Sequence, residues 1–233
     1  KNRIVPVPYF VAKSQTFAEQ MTIELGSAIE GNIYYTINES KEIKYTHPIL
    51  IDEDAEIKCR TIKDDKWSKS VTANYYKIDN KKSIVLQSQY ANQYAAAGDK
   101  TLIDHLRGGE NYRTGNWQGF RENLIATVDL GVEKEISTIS LGCLQDIRSW
   151  IFFPAQIEIL TSTDNKTYTR LSSITNTFSD TIEGTFTKDF IFKTHPIQAR
   201  SIKVKAENYG VCPEWHLGAG GKTWLFVDEL TIK

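Results

Sequence analysis

Methionine is almost missing from this chain, with one among 233 residues, and the first residue is Lys. That start predicts an excised fragment, or a mature chain whose upstream part and signal segment have been removed. Cysteine is also scarce: Cys59, Cys143 and Cys212. An odd count excludes a fully paired disulfide framework, and no Cys-x-x-Cys spacing offers a zinc or redox site. Cys59 alternates with Ile57 and Thr61 and reads as a small buried hydrophobe; Cys143 and Cys212 would pair only if their loops adjoin, which the sequence does not decide. Charge of one sign is lacking too. The net charge is −1, and Lys and Arg are scattered rather than striped, which excludes the electrostatic footprint of a nucleic-acid binder. No apolar run approaches the ~20 residues that span a bilayer, so no membrane partner is expected. Long amphipathic helices are absent from the pattern.

What remains is alternation and aromatic side chains: 11 Tyr, 10 Phe and 5 Trp. Ile57/Cys59/Thr61, Leu124/Ala126/Val128/Leu130, Ile139/Leu141/Cys143, Ile157/Ile159 and Ile202/Val204/Ala206 repeat with period two. Each has polar or small residues between, the pattern of strands with one buried face. Breaks of Asn, Asp, Gly and Pro recur at sandwich or barrel spacing. The chain reads as all-β. A polar stretch over 77–83 separates a small β-sandwich, residues 1–78, from a larger unit, residues 79–233. The smaller part is near the size at which a core alone is marginal.

The first part carries Asn32-Ile33-Tyr34-Tyr35-Thr36-Ile37-Asn38, then Thr46-His47-Pro48-Ile49, Glu56-Ile57-Lys58-Cys59-Arg60, and a closing Tyr75-Tyr76. It resembles the immunoglobulin-like C-terminal β-sandwich of chitobiases and β-hexosaminidases, with Asn38-Glu39-Ser40 in place of that family's Asp-Gly-Ser turn. The second carries Leu102-Ile103-Asp104, Trp117-Gln118-Gly119-Phe120, Val128-Asp129-Leu130-Gly131, Trp150 with Pro154, and a final segment from Trp224 to Glu229. It resembles a discoidin-like jelly-roll β-sandwich, the fold of coagulation-factor C-type domains and family 32 carbohydrate-binding modules. Together the two resemble the tail of Bacteroidetes family 20 glycoside hydrolases. The resemblance implies a secreted, periplasmic or cell-surface protein, an upstream catalytic domain as partner, and glycans ending in galactose, N-acetylgalactosamine or N-acetylglucosamine.

Strands are expected at 120–131, 136–144, 155–162, 167–175, 185–194, 199–206 and 224–232. If successive strands run antiparallel, as short connections favour, the stretches before 120, over 144–155, over 175–185 and over 206–224 share one rim. Polar and aromatic side chains gather there, and loops held by a rigid sheet are where binding residues concentrate. Arg107, Asn111, Tyr112, Arg148, Trp150, Tyr209, Glu214, Trp215 and His216 are the candidate glycan contacts, the rings for stacking and the others for hydroxyl hydrogen bonds. Trp117 and Trp224 adjoin strands and read as core, while His47 and His195 each precede Pro and read as turn residues.

The discoidin resemblance further implies a structural calcium, and no catalytic cofactor, with Asp99, Thr101, Asp104 and Glu229 at the ligand positions. His105 stands where that family has Gly, and Gly108-Gly109 replaces side-chain ligands. Asp228-Glu229 imitates the Asp-Glu pair of family 20 hydrolases, but neighbours on a strand point to opposite faces, so no activity is expected of this chain. Trp150-Ile151-Phe152-Phe153 offers an alternative, an apolar loop tip for adhesion to lipid or protein; a purely structural spacer is the other.

Overall fold

The computed structural model describes residues 4–233. The chain divides into two compact units, Lys1–Asp79 and Asn80–Lys233, and no helix among the described residues is long and apolar enough to cross a membrane.

The first unit contains β1 (Tyr9–Val11), β2 (Thr16–Phe17), β3 (Met21–Gly26), β4 (Asn32–Ile37), β5 (Ile43–Lys44), β6 (Ile49–Ile51), β7 (Ala55–Lys63), β8 (Lys66–Trp67) and β9 (Val71–Lys77). One sheet has the order β1-β3-β6; the other runs β2-β9-β7-β4-β5, with β8 paired to β7. Alternation assigns the faces. In β7, Ala55, Ile57, Cys59 and Thr61 are buried while Glu56 and Lys58 are exposed, and in β3 Met21, Ile23 and Leu25 point into the same core. The turn after β4 closes through a bond from the Ser40 amide to the Ile37 carbonyl at 2.9 Å. Both of its central residues, Asn38 (φ 47°) and Glu39 (φ 60°), are left-handed. Asn tolerates that conformation, whereas a side chain such as Glu is strained in it. Asn38 adds bonds of its own, accepting from the Glu56 amide at 2.8 Å and donating to the Asp54 carbonyl at 3.1 Å.

The second unit contains β10 (Ser83–Leu86), β11 (Gln118–Phe120), β12 (Leu124–Asp146), β13 (Gln156–Ser162), β14 (Thr169–Thr175), β15 (Thr185–Glu207) and β16 (Leu225–Ile232). Here the structure corrects the sequence reading. Separate strands at 120–131 and 136–144, and again at 185–194 and 199–206, are expected; instead β12 and β15 are continuous and pair antiparallel along their length, from Leu124↔Ala206 to Asp146↔Thr185. Register shifts fall between Asp129 and Lys134 and between Ile136 and Thr138. Irregularities of this kind bend a strand. Gly131 (φ 79°) lies at the first, and a Cβ there would come within 2.7 Å of the Lys81 carbonyl oxygen. His195 accordingly lies inside β15 rather than in a turn.

Each long strand serves two layers. Residues 126–129 of β12 pair with β10 and residues 201–207 of β15 pair with β13, which carries β14 at its edge. The other half of β12, residues 139–144, pairs with β16, which carries β11. Ala126, Val128, Ile202 and Val204 from one layer and Ile139, Leu141, Phe190 and Phe192 from the other are buried in a single core. This is the all-β sandwich. Cys59, Cys143 and Cys212 are all free and buried.

Two stability predictions follow from the first unit. Thr61 is fully buried and its Oγ1 has no hydrogen-bond partner. Thr61→Val removes that unpaired hydroxyl at nearly constant volume and is expected to stabilise the chain by about 1 kcal/mol, read as a higher thermal midpoint. Glu39→Gly relieves a left-handed side chain and is expected to add roughly 0.5–1 kcal/mol. A lowered midpoint in either variant contradicts the corresponding assignment.

Candidate functional site

A groove of about 650 Å³ opens at one end of the second unit, within the size range of small-ligand sites. Ile147, Arg148 and Trp150 line one side; Trp215, His216, Leu217 and Gly218 line another; Glu183 completes it. The first group comes from the turn that ends β12, where a single 3₁₀ turn, Ile147–Ser149, is closed by Trp150 in the left-handed region (φ 64°). The Trp150 amide donates to the Ile147 carbonyl at 2.9 Å, and the Trp150 carbonyl accepts from the Trp224 amide at 2.8 Å. The indole is therefore held at both ends of its residue. A Cβ on Gly218 would lie 2.4 Å from the ring, and one on Gly221 2.5 Å. Only glycine lets this loop close over Trp150.

His216 ties the two walls together. It is buried, its Nδ1 accepts from the Gly218 amide at 2.9 Å, and its Nε2 lies 2.7 Å from the Ile147 carbonyl. A carbonyl cannot donate, so Nε2 carries the ring proton and the imidazole is used up in bonds to backbone. Its ring lies edge to face with Trp150, Trp215 and Phe152. Trp215 itself is 49% exposed and Leu217 wholly so. Arg148 and Glu183, whose side chains are 74% and 67% exposed, form an ion pair across the groove mouth.

Tyr209 stands behind this wall. Its ring stacks on Phe152 at 4.6 Å, and its hydroxyl donates to Asp180 at 2.5 Å. Burial, then the bond to Asp180, pushes the phenol up to about 12, which keeps the donor protonated. The bond also ties the loop between β14 and β15 to the loop before β16.

Arg148, Trp150, Trp215 and His216 thus meet in one groove, with Tyr209 one ring away. Glu214 is exposed beside Trp215 but does not line the groove. Three other candidates do not reach it. Arg107 donates from Nε to Asp228 at 2.9 Å and pairs with Asp189 at 2.5 Å. Asn111 accepts from the Arg113 amide at 3.0 Å and caps a 3₁₀ turn. Tyr112 is buried against Tyr94 and Phe226. The physical reason lies in Trp117, which is buried, donates from Nε1 to the Gly109 carbonyl at 2.8 Å, and fills the space a Cβ on Gly108 would need. The 107–113 segment packs over that indole; within it only Tyr112 is buried, while Arg107 and Asn111 stay exposed on bonds of their own. Ile147, Glu183, Leu217 and Gly218 are lining residues that the sequence reading missed. Only Gly218 had a signal, its place in a glycine-rich loop.

The apolar tip at 151–153 does not exist as a spike: Ile151, Phe152 and Phe153 are each 1% exposed. A smaller recess of about 300 Å³ is lined by residues of β12, β13, β14 and β15. It has no exposed ring, and its Glu158 is already paired with Arg170 and Lys205.

The residues expected to hold calcium each make a bond within the protein. Asp99 accepts from the Tyr90 hydroxyl at 2.9 Å, and Thr101 donates to the Gly98 carbonyl at 2.8 Å. Asp104 accepts from the Leu106 amide and Glu229 from the His105 amide. Calcium takes six to eight oxygens, yet among the described residues no group of three Asp, Glu, His or Cys side chains could hold a metal ion. Side chains alone do not supply such a set, and backbone carbonyls would have to complete it. Asp104 and Glu229 are two buried, mutually repelling carboxyl groups. Burial pushes Asp104 up to about 6 and Glu229 up to about 8; the His105 amide opposes the latter shift, while Asp104 and Asp228 add to it.

The chain belongs to the F5/8 type C domain family, which matches residues 83–220. Residues 23–76 match the Fn3 associated family. No curated protein matches the chain. Among solved structures, module CBM32-3 from a family 31 glycoside hydrolase of Clostridium perfringens is 15% identical over 65% of this chain and 90% of that one, with a TM-score of 0.43. The family 32 module of Clostridium perfringens NanJ, solved with galactose, is 18% identical over 65% and 93%, TM-score 0.40. The C-terminal domain of a Bacteroides fragilis chitobiase is 16% identical over 66% and 93%, TM-score 0.42.

A carboxyl group raised in the folded state contributes stability that is full below its unfolded value, 4.5 for Glu229, and is lost as pH rises through about 8. The thermal midpoint of the whole chain should therefore fall between pH 5 and pH 9. Glu229→Gln, which cannot ionise, should flatten that fall and melt a few degrees above the parent at pH 9. Parallel pH curves for the two proteins would exclude the assignment.

Proposed function

We propose that the second unit binds glycans in the groove beside Trp215, and that the whole chain is a non-catalytic accessory region of a secreted or cell-surface glycoside hydrolase. The observation that carries this reading is the half-exposed Trp215 ring next to an exposed pair of opposite charges, Arg148 and Glu183. A sugar presents a C–H face that packs on an indole, and hydroxyls that both donate and accept. Arg148 supplies donors and Glu183 acceptors, and both side chains are more than half exposed. Membership in the F5/8 type C family supports it, as does the motif resemblance to family 32 modules. Galactose, N-acetylgalactosamine and N-acetylglucosamine termini are the proposed ligands, and the order of the two matched families supports an upstream catalytic domain of the family 20 hexosaminidase type.

The Asp228-Glu229 pair does not reach this groove: both residues are buried and neither lines it. Asp228 is held by Arg107 and the Gly108 amide at 2.9 Å each, and Glu229 by the His105 amide.

An open groove gripping one sugar unit should bind at a Kd on the order of 0.1–10 mM, about −4 to −5.5 kcal/mol. Trp215→Ala is expected to weaken binding by roughly tenfold or more, since stacked rings dominate such contacts, with the thermal midpoint moved by less than about 1 °C because exposed positions contribute little to stability. Ligand-observed NMR against a panel of methyl glycosides measures both. Failure of the parent chain to bind any glycan would reduce it to a structural spacer.

A further inference from the structure

We propose that Glu183 makes the groove selective for charge: it admits uncharged sugars and turns away those bearing a carboxylate, such as uronic acids. The inference rests on the reading of the groove as a glycan site. Among the residues lining the groove, Arg148 and Glu183 are the charged ones, and they neutralise each other. A carboxylate entering beside Trp215 finds its natural partner, the Arg148 guanidinium, already bonded to an acid. Taking that partner would leave Glu183 facing a second negative charge across the groove.

Stability does not explain the pair. Both side chains are more than half exposed, and ion pairs so exposed contribute little to folding. The two residues are 35 apart in sequence and sit on separate loops. Glu183 is nevertheless placed by firm anchors. At the base of its loop Gln145 donates from Nε2 to the Ser179 carbonyl at 2.9 Å, and Tyr209 holds Asp180. On its far side Gly184 (φ 125°) turns the chain into β15 with the Phe186 ring beneath it. The other acids of this rim reinforce the sign. Asp180 is occupied by Tyr209, Asp146 accepts from the Ser149 hydroxyl at 2.8 Å, and Glu214 is exposed next to Trp215.

A neutral sugar meets the pair differently. Vicinal hydroxyls can donate to Glu183 and accept from Arg148 at once, so the pair need not break to bind. The ligand that matches this chemistry is an uncharged hexose or acetamido-hexose with adjacent free hydroxyls.

The test uses matched probes that differ at one carbon: methyl β-galactoside against methyl β-galacturonide, and methyl β-glucoside against methyl β-glucuronide. Affinities are measured by NMR titration on the full chain at low ionic strength, for the parent and for Glu183→Gln. The parent is expected to prefer the neutral member of a pair by about tenfold or more, the scale of one like-charge contact in a partly screened groove. Glu183→Gln should erase or invert that preference, changing the neutral affinity less than the acidic one, with an unaltered thermal midpoint. Added salt should shrink the parent's preference. Equal binding of both members by the parent, or an unchanged preference in Glu183→Gln, would overturn the role of Glu183 and leave the glycan reading standing. Binding of no neutral or acidic probe by the parent would overturn the glycan reading and this assignment with it.

Discussion

Two strands that run together through a bend govern the second unit. β12 and β15 stay paired from Leu124↔Ala206 to Asp146↔Thr185, yet their two halves belong to different layers over one core. A sandwich needs two apolar faces opposed, and a continuous pair that folds over supplies both without a separate connection. The bend depends on a left-handed glycine at position 131 and on an irregular register across 129–138. Because of it, the end of β12 at Asp146 and the end of β15 at Glu207 deliver their loops to the same groove. The Ile147 carbonyl meets His216, and the Phe152 amide meets the Trp224 carbonyl at 3.1 Å.

On that frame the groove is assembled from side chains already saturated by the fold. His216 is committed to two backbone groups, and Trp150 lies beneath Gly218 and Gly221. What they leave free is a rigid wall with Trp215, Leu217, Arg148 and Glu183 at its exposed edge. This is the division expected of a recognition surface: inner residues hold the shape while exposed ones meet the ligand. The opposite logic holds around β16. Asp228 is fully buried and compensated by Arg107 and the Gly108 amide, whereas Glu229 has the His105 amide and a nearby acid, and burial pushes it up to about 8.

Much of the fold was legible. Alternation in Ile57/Cys59/Thr61 and Ile202/Val204/Ala206 identifies buried faces because the period of a strand leaves no other choice, and all of these residues are buried. Trp117 and Trp224 are core, as their positions beside strands imply. The bends were not legible. Val132-Glu133-Lys134-Glu135 reads as a turn, since polar residues interrupt the alternation there, but a bend and a hairpin interrupt it alike. The site was half legible. Trp150, Trp215, Arg148 and His216 stand out as polar and aromatic groups on loops; Glu183 is one acid among many until its distance to Arg148 is known.

The order of residues alone determined which faces turn inward and that the chain is all-β, because these follow from local geometry and the chemistry of adjacent side chains. Only the tertiary structure decided which loops share a groove, that Arg107 and Tyr112 stand away from it, and that Arg148 carries a counter-charge. Those facts are distances between segments tens of residues apart, and such distances exist only once the strands have paired.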